Sequence, residues 1–361
     1  MKLGVLTLPF NNNYGGYLQC YALMTILKQM GHEVELIYRR PNRRPLKYRL
    51  KIVIRNILRM LRNKDIASLI PDIEKELRYK GQNMMSFVDK HLSPRTLPLY
   101  TSKEFHECTE NKYDAIVVGS DQIWRPEYVS SIRDFFLFGI KDKHVKRVAY
   151  AASFGVNNPI FNEEEKNDCG SAISKFSAVS LREEGGIDII KRFGWKCNTL
   201  QVVLDPTLLL KREHYDSLLP RTKSMSYGKV CCYVLDWSEH KEQAVNRISH
   251  DTGLEILYIL EPVQKDSPYY KMSSIEEWLS AIRDSAMVIT DSYHGTVFSI
   301  IFQKPFIFMG NATRGDARIE SLFDLLGIDS KNTTQINHDQ VCNKITDLRK
   351  SSIDFIKSAL G

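Results

Sequence analysis

The stretch Val288-Ile289-Thr290-Asp291-Ser292-Tyr293-His294-Gly295-Thr296 holds one complete strand-to-helix crossing. Its apolar start belongs to a short strand read over Met287–Thr290. Asp, Ser, Tyr and His then follow without a break. Gly295 lets backbone come close to a ligand, and Thr296 is expected to open a helix whose free N–H groups attract anions. In an open parallel sheet, ligands sit at the carboxyl ends of the strands, where such a loop lies. A histidine placed there can hold a phosphate oxygen or trade a proton near neutral pH. A structural histidine is the plainer alternative, but the position favours function.

The same rhythm extends outward. Strand signals at Val230–Leu235, Glu255–Leu260, Met287–Thr290 and Pro305–Phe308 alternate with helical stretches at Glu239–Thr252, Ser274–Asp284 and Thr296–Phe302. Helices over Ala317–Leu326 and Asp339–Leu360 follow. Upstream, Leu3–Leu8, Glu33–Tyr38, Ala115–Val118, Arg147–Ala152, Ala178–Leu181 and Leu200–Leu204 read as strands, with helices at Tyr17–Met30 and near Ile70–His91. Alternation of this kind predicts an α/β fold with parallel sheets. Two Rossmann-like, doubly wound parallel-sheet domains around a cleft are expected: residues 1–210, a linker at 211–228 rich in Ser/Thr and charge, and residues 229–361.

At 361 residues, with 43% hydrophobic and 26% charged residues, the chain suits two globular domains and excludes a mainly disordered, collagen-like or coiled-coil architecture. No apolar run reaches the roughly 18 to 20 residues of a spanning helix. Thr296–Gly310 comes closest and is broken by Gln303, Lys304 and Pro305. The opening MKLGVLTLPFNNN reads as a strand and polar loop, not as a signal peptide. Seven cysteines without CxxC or Cys/His zinc spacing point to reduced thiols in a cytosolic protein.

The net charge of +7 is local. Residues 39–62 carry ten Lys or Arg and no acid, so the rest of the chain sums to −3. Within 46–62, Leu46, Leu50, Val53, Ile57 and Leu61 form a helical stripe beside Lys47, Lys51, Arg55 and Arg59. A basic amphipathic helix suits an anionic membrane surface, and equally a solvated face over the protein's own core. No nucleic-acid signature accompanies it.

Three further loops carry candidate chemistry. Asn11-Asn12-Asn13-Tyr14-Gly15-Gly16 follows the first strand and combines neutral donors with close backbone approach; an Asn/Gly turn with a helix cap explains it as well. It is neither GxGxxG nor a P-loop. Gly119-Ser120-Asp121-Gln122-Ile123-Trp124-Arg125 sets polar groups beside an indole, which suits a sugar ring or, alternatively, a capped helix over a buried Trp. Arg182 stands just past a buried strand, ready for bidentate contact with carboxylate or phosphate unless the following acids hold it. Arg314 and Arg318, in a later strand-to-helix loop, would face the cleft or lie on an exposed helix start. There is no G-x-S-x-G elbow, which argues against a serine hydrolase, and no metal-ligand cluster.

Taken in order, NNNYGGYLQ, GSDQIWRP (119–126), SLREEGG (180–186), VVLDPTLLL (202–210) and TDSYHGTVFSIIFQKPFI (290–307) resemble the bacterial polysaccharide pyruvyl transferases over roughly residues 1 to 327. The resemblance implies a glycosyltransferase-B-like fold, phosphoenolpyruvate as donor, a sugar hydroxyl pair as acceptor, and a pyruvate ketal as product. Phosphoenolpyruvate would be a co-substrate, with no cofactor and no metal. The implied reaction centre is His294, Arg182 and Asp291. Arg182 and His294, with Ser292, Gly295, Thr296, Arg314 and Asn13 as the favoured one of three N-terminal asparagines, would hold the donor. Asn12, Tyr14, Gly15, Gly119, Ser120, Asp121 and Trp124 would border the acceptor. The implied setting is capsule or surface-polysaccharide assembly in the cytoplasm, on a sugar linked to undecaprenyl diphosphate, with residues 39–62 against the inner membrane face. A glycosyltransferase of the same fold using a nucleotide sugar, with Asp291 or Glu261 on the ribose, is the first rival. A sugar-binding scaffold without turnover is the second.

Overall fold

The computed structural model describes residues 1–10, 12–42, 53–54, 57, 79–260, 270–311 and 316–361. Two parallel sheets organise it. The first contains β1 (Lys2–Leu6), β2 (Glu33–Ile37), β3 (Ala115–Val118), β4 (Lys146–Ala152), β5 (Ala178–Leu181) and β6 (Leu200–Val202), in the order β2-β1-β3-β4-β5-β6. The second contains β7 (Val230–Tyr233), β8 (Ile256–Tyr258), β9 (Met287–Thr290) and β10 (Phe306–Phe308), in the order β10-β9-β7-β8. All pairings are parallel. The central strands explain themselves chemically: AIVV in β3 and VCCY in β7 are buried at every position, as strands covered on both faces must be.

The two sheets share one topological logic. Counted within its own unit, each places its second strand beside its first and its third on the other side. The winding direction therefore reverses between β1 and β3, and again between β7 and β9. Ligands bind at such reversals, outside the carboxyl ends of the strands. The loops that matter are those after β1, β3, β7 and β9.

Helix α1 (Tyr14–Gln29) fills the space between the sheets. Twelve of its sixteen residues are buried, so it is apolar nearly all round, as a helix covered on several sides should be. Its Tyr14 stacks on Trp278 of α3 (Ile275–Asp284), with ring centroids 5.1 Å apart, and its hydroxyl donates to the Ser273 carbonyl at 3.1 Å. The first turn of α1 is thereby fixed against the second sheet. Helix α2 (Glu184–Arg192) follows β5. Helix α4 (Tyr293–Ile301) follows β9, and α5 (Ala317–Leu326) follows β10.

Several expected boundaries move. Helix α4 opens at Tyr293, three residues earlier than Thr296, because Ser292 is the N-cap and its hydroxyl accepts from Gly295 N at 3.3 Å. His294 thus lies in the first helical turn, not in a loop before it. The stretch 211–228 is anchored: Tyr215 is fully buried and its hydroxyl donates to the Thr207 carbonyl at 2.8 Å. The last helix, α6 (His338–Leu360), was expected wholly with residues 229–361. It also reaches back to the first sheet, where Ser352 Oγ accepts from Leu204 N at 3.0 Å and Phe355 meets Tyr150. The seven cysteines are unbridged. Among the described residues no helix is long and apolar enough to cross a membrane. Apart from residues 53, 54 and 57, the expected basic helix 46–62 lies outside the described residues, as do Asn11, Glu261 and Arg314.

Candidate functional site

Asp205 is the centre of the site. It follows β6 and caps the short turn Pro206–Leu208, so its Oδ1 accepts from Thr207 N at 3.0 Å and Thr207 Oγ1 at 2.7 Å. Its other oxygen faces the cleft side. There Oδ2 accepts from Ser120 Oγ at 3.1 Å and Arg182 Nη1 at 3.0 Å, and lies 3.5 Å from His294 Nε2. Burial alone would raise the carboxyl pKa; His294, Arg182 and the Thr207 N–H outweigh it and hold the group well below the usual carboxylate range. One buried anion therefore collects the strand-end loops of β3, β5, β6 and β9.

His294 is set by two neighbours. Asp205 attracts its Nε2 edge, although the pair is not aligned as a hydrogen bond and Nε2 has no hydrogen-bond partner among the described residues. Gly15, in the first turn of α1, lies against the opposite part of the ring: a Cβ at Gly15 would overlap Nδ1 and Cγ. Glycine at 15 is what allows the imidazole to occupy this place. Gly295 has a similar reason, since a Cβ there would overlap the Thr290 hydroxyl.

Two guanidinium groups meet at Tyr293. Arg182 lies 4.3 Å from the ring centroid and Arg318 5.8 Å. Arg182 is engaged by Asp205, by Asp121 at 3.5 Å and by Glu183 at 3.8 Å. Burial opposes its charge, but Tyr293 and these carboxylates prevail and raise its pKa. Arg318 is different. Burial first, and then repulsion from Arg182, pull its pKa down. A second buried cation beside the first is stabilised by any anion that enters between them.

The cleft is lined by Asn13, Asp121, Gln122, Ser292, Tyr293, His294, Asn311 and Arg318, among others. The N-terminus of α4 opens into it, which adds the partial positive charge of unpaired N–H groups. Asn13 caps α1 without using its side chain, so its amide stays exposed at the cleft. Asp121 is held at φ 70°, a left-handed conformation that Asp tolerates, which turns the strand end toward Arg182. Among the described residues no three His, Cys, Asp or Glu side chains are grouped to hold a metal ion.

Seven of the expected site residues are packed against, or bonded to, the protein's own groups. Arg182 lies behind Tyr293 and Asp121 instead of lining the cleft, with its N–H groups directed at carboxylates; it positions Asp205 and Tyr293. Asp291 borders the cleft, but its carboxylate is taken up by Leu235 N at 2.6 Å, Asp236 N at 3.0 Å, Lys241 Nζ at 2.7 Å and Asn311 Nδ2 at 2.9 Å. Those bonds tie the β7 and β10 loops to β9. Trp124 is fully buried, stacks on Phe136 at 4.6 Å and donates Nε1–H to the Phe135 carbonyl, so it offers no face to a sugar. Tyr14 belongs to the core described above. Gly119 packs against Leu23 and the Leu6 carbonyl, and Ser120 is consumed by Asp205. Thr296 is fully buried and returns its hydroxyl to the Ser292 carbonyl.

Asp205 and Glu183 were not read as site features; Arg318, left open between the cleft and an exposed helix start, is buried and lines the cleft. Asp205 carried a usable signal: it ends an apolar run at the carboxyl end of a strand, the same context that drew notice to Asp291.

A family model for polysaccharide pyruvyl transferase matches residues 13–313. No curated protein matches the chain in sequence. Among solved structures, UDP-GlcNAc 2-epimerase from Neisseria meningitidis is similar over 97% of this chain and 99% of its own, at 9% identity and a TM-score of 0.45. The S. aureus MnaA–UDP complex is similar over 96% of this chain and 90% of its own, at 12% identity and a TM-score of 0.47. A Streptomyces glycosyltransferase covers 99% of each chain at 9% identity and a TM-score of 0.41. With its model matched from the N-terminal asparagine loop to beyond β10, the chain belongs to the polysaccharide pyruvyl transferase family.

Proposed function

We propose that the cleft binds phosphoenolpyruvate and transfers its three-carbon unit to a pair of sugar hydroxyls as a cyclic ketal. The observation that carries this reading is the meeting of Arg318, His294 and the N-terminus of α4 on one cleft wall. Phosphoenolpyruvate brings a phosphate and a carboxylate, and this wall supplies a guanidinium, an imidazole and free backbone N–H groups to match them.

The chemistry needs a proton delivered to C3 of the donor. His294, steadied by the Asp205 anion and shaped in by Gly15, is the group to carry it. Protonation leaves C2 electrophilic, and one sugar hydroxyl adds there and loses its proton. Loss of phosphate then leaves an oxocarbenium ion at C2. The second hydroxyl closes the ring, and its proton leaves with phosphate. Arg318 and the α4 N-terminus stabilise the departing phosphate.

The acceptor is proposed to be a sugar on a phosphate-linked lipid carrier, for capsule or surface polysaccharide, with residues 39–62 near an anionic membrane. Liposome co-sedimentation indifferent to anionic lipid content would remove the membrane part. For the donor, phosphoenolpyruvate and a panel of nucleotide sugars are titrated into wild type and Arg318→Ala, reading thermal stabilisation. Stabilisation by phosphoenolpyruvate alone, weakened at least tenfold in the variant, is expected. Stabilisation by a nucleotide sugar without phosphoenolpyruvate would move the reading to glycosyl transfer.

A further inference from the structure

The loop after β3 carries a glutamine that the pyruvyl-transfer steps leave unused. Gln122 is buried and lines the cleft with His294 and Arg318. Its amide has a fixed orientation. Arg125 Nη1 lies 3.0 Å from Oε1, and a guanidinium only donates, so that atom is the oxygen and the nitrogen takes the other side. No group among the described residues accepts from Nε2, and the atom is not closed off in the core, so its N–H bonds face the cleft.

Neighbouring elements hold this amide in place. The Arg125 guanidinium carbon lies 4.5 Å from the Tyr128 ring centroid, and its Nε lies 3.5 Å from Glu127. On the other side, Gly155 lies against the amide: a Cβ there would come within 2.0 Å of Oε1, and the residue's φ of 73° suits glycine. Gly155 N donates to Ser153 Oγ at 2.9 Å, and Ser153 Oγ donates to Glu183 Oε1 at 2.7 Å. The loops after β3, β4 and β5 thus converge on one side chain.

A guanidinium on the amide oxygen draws electron density from the nitrogen and strengthens its N–H donors. The matching ligand group only accepts and carries negative charge, as a carboxylate does. Of the acids that line the cleft, Asp121 is offset by Arg182 at 3.5 Å, Asp291 by Lys241 at 2.7 Å, and Asp316 is bonded to Asn311 N at 2.7 Å. We infer that Gln122 holds the carboxylate of phosphoenolpyruvate and, with Arg125 behind it as a positioning residue, sets the preference for a carboxylated donor. The phosphate stays with Arg318 and the N-terminus of α4. Two anchors on the groups attached to C2 leave the C2–C3 double bond one orientation for protonation. The assignment rests on the pyruvyl-transfer reading for the identity of the donor and adds which side chain reads its carboxylate.

The test compares phosphoenolpyruvate with isopropenyl phosphate, which has a methyl group in place of the carboxylate. Calorimetric titration of each into the full chain gives the ratio of affinities. Wild type is expected to bind phosphoenolpyruvate at least about tenfold more tightly, the effect of one hydrogen bond to a charged group. Gln122→Met is expected to bring the ratio below about threefold by weakening phosphoenolpyruvate alone. Gln122→Glu keeps an oxygen for Arg125 but sets a carboxylate against the ligand's own. It should weaken phosphoenolpyruvate more than Gln122→Met does and still bind isopropenyl phosphate. Arg125→Met should also lower the ratio through phosphoenolpyruvate, whereas a purely structural role would weaken both ligands alike. Melting of each free variant reports whether it folds, and Gln122→Glu carries the test should Gln122→Met fail. Equal affinity for the two ligands in wild type, a ratio unchanged in the Gln122 variants, or equal weakening of both ligands overturns the assignment and leaves the donor reading standing. Wild type that binds neither phosphate overturns the donor reading, and the assignment falls with it.

Discussion

Asp205 and Asp291 are both buried carboxylates at the carboxyl ends of parallel strands, and both oxygens of each are engaged by neighbouring groups. They do different things. Asp291 accepts from two backbone amides, Lys241 and Asn311, all within the second sheet's own loops. Asp205 accepts from Thr207, Ser120 and Arg182 and attracts His294 from across the cleft. The lesson is that saturation of a buried anion does not mark a site. What marks it is the kind of partner that reaches the cleft: Asp291 reaches it through the neutral amide of Asn311, whereas Asp205 reaches it through the imidazole of His294.

The largest effect that would sharpen this contrast is expected from Asp205→Asn. The change keeps the shape but leaves Arg182 facing one charge fewer. Breaking a buried pair from one side costs ~3–5 kcal/mol. Denaturant unfolding should show that loss, and ketal formation should fall by about a hundredfold or more as the imidazole loses its charged neighbour. Asp291→Asn should cost a similar stability through Lys241, yet retain phosphoenolpyruvate binding within about tenfold of wild type. Equal loss of binding in both variants would break the comparison.

Gly15→Ala comes next. The methyl group overlaps the His294 ring, so turnover should drop by about a hundredfold through misplacement of a reacting group. Thermal midpoint should move far less than in Asp205→Asn, because the imidazole has the cleft to turn into. Unchanged turnover would show that His294 only binds anions.

The acid limb of stability gives a third test. Asp205 has its folded pKa depressed, so its contribution is present above the ordinary carboxylate pKa and is lost as pH falls through the folded value. Wild type should therefore lose stability steadily below about pH 4, and Asp205→Asn should show a shallower acid slope over that range. Parallel slopes would mean that Asp205 is not held as an anion.

The smallest effect is expected from Trp124→Phe. It removes one buried hydrogen bond to Phe135 and some ring contact, costing ~1–3 kcal/mol. Phosphoenolpyruvate binding should be unchanged, which separates this buried indole from the cleft-lining Gln122.

The expectations differ in how far the sequence alone supports them. The strand at Met287–Thr290 and the helix Glu239–Thr252 fall where read, because apolar runs and helical periodicity report burial locally. The start of α4 was misread by one turn, since Ser292 is a better cap than the Gly-Thr that follows it. Trp124 looked like a sugar platform because an indole next to Gly-Ser-Asp is equally a surface or a core feature. Its partners, Phe136, Phe154 and Phe176, come from loops and turns that no local pattern joins.

By itself, then, the sequence determined the parallel α/β architecture, the family, and the strand-to-helix crossing that carries His294. These depend on short-range patterns of burial and on motifs in fixed order. Only the tertiary structure decided that Asp205 and not Asp291 anchors that histidine, that Arg182 stands behind the cleft and Arg318 in it, and that Gly15 of α1 shapes the place of a ring from the first turn of α4. Each of those depends on partners tens to hundreds of residues apart, brought together by two sheets whose reversals face one another. The energy of a buried charge is set by which groups surround it, and the chain order does not contain that information in local form.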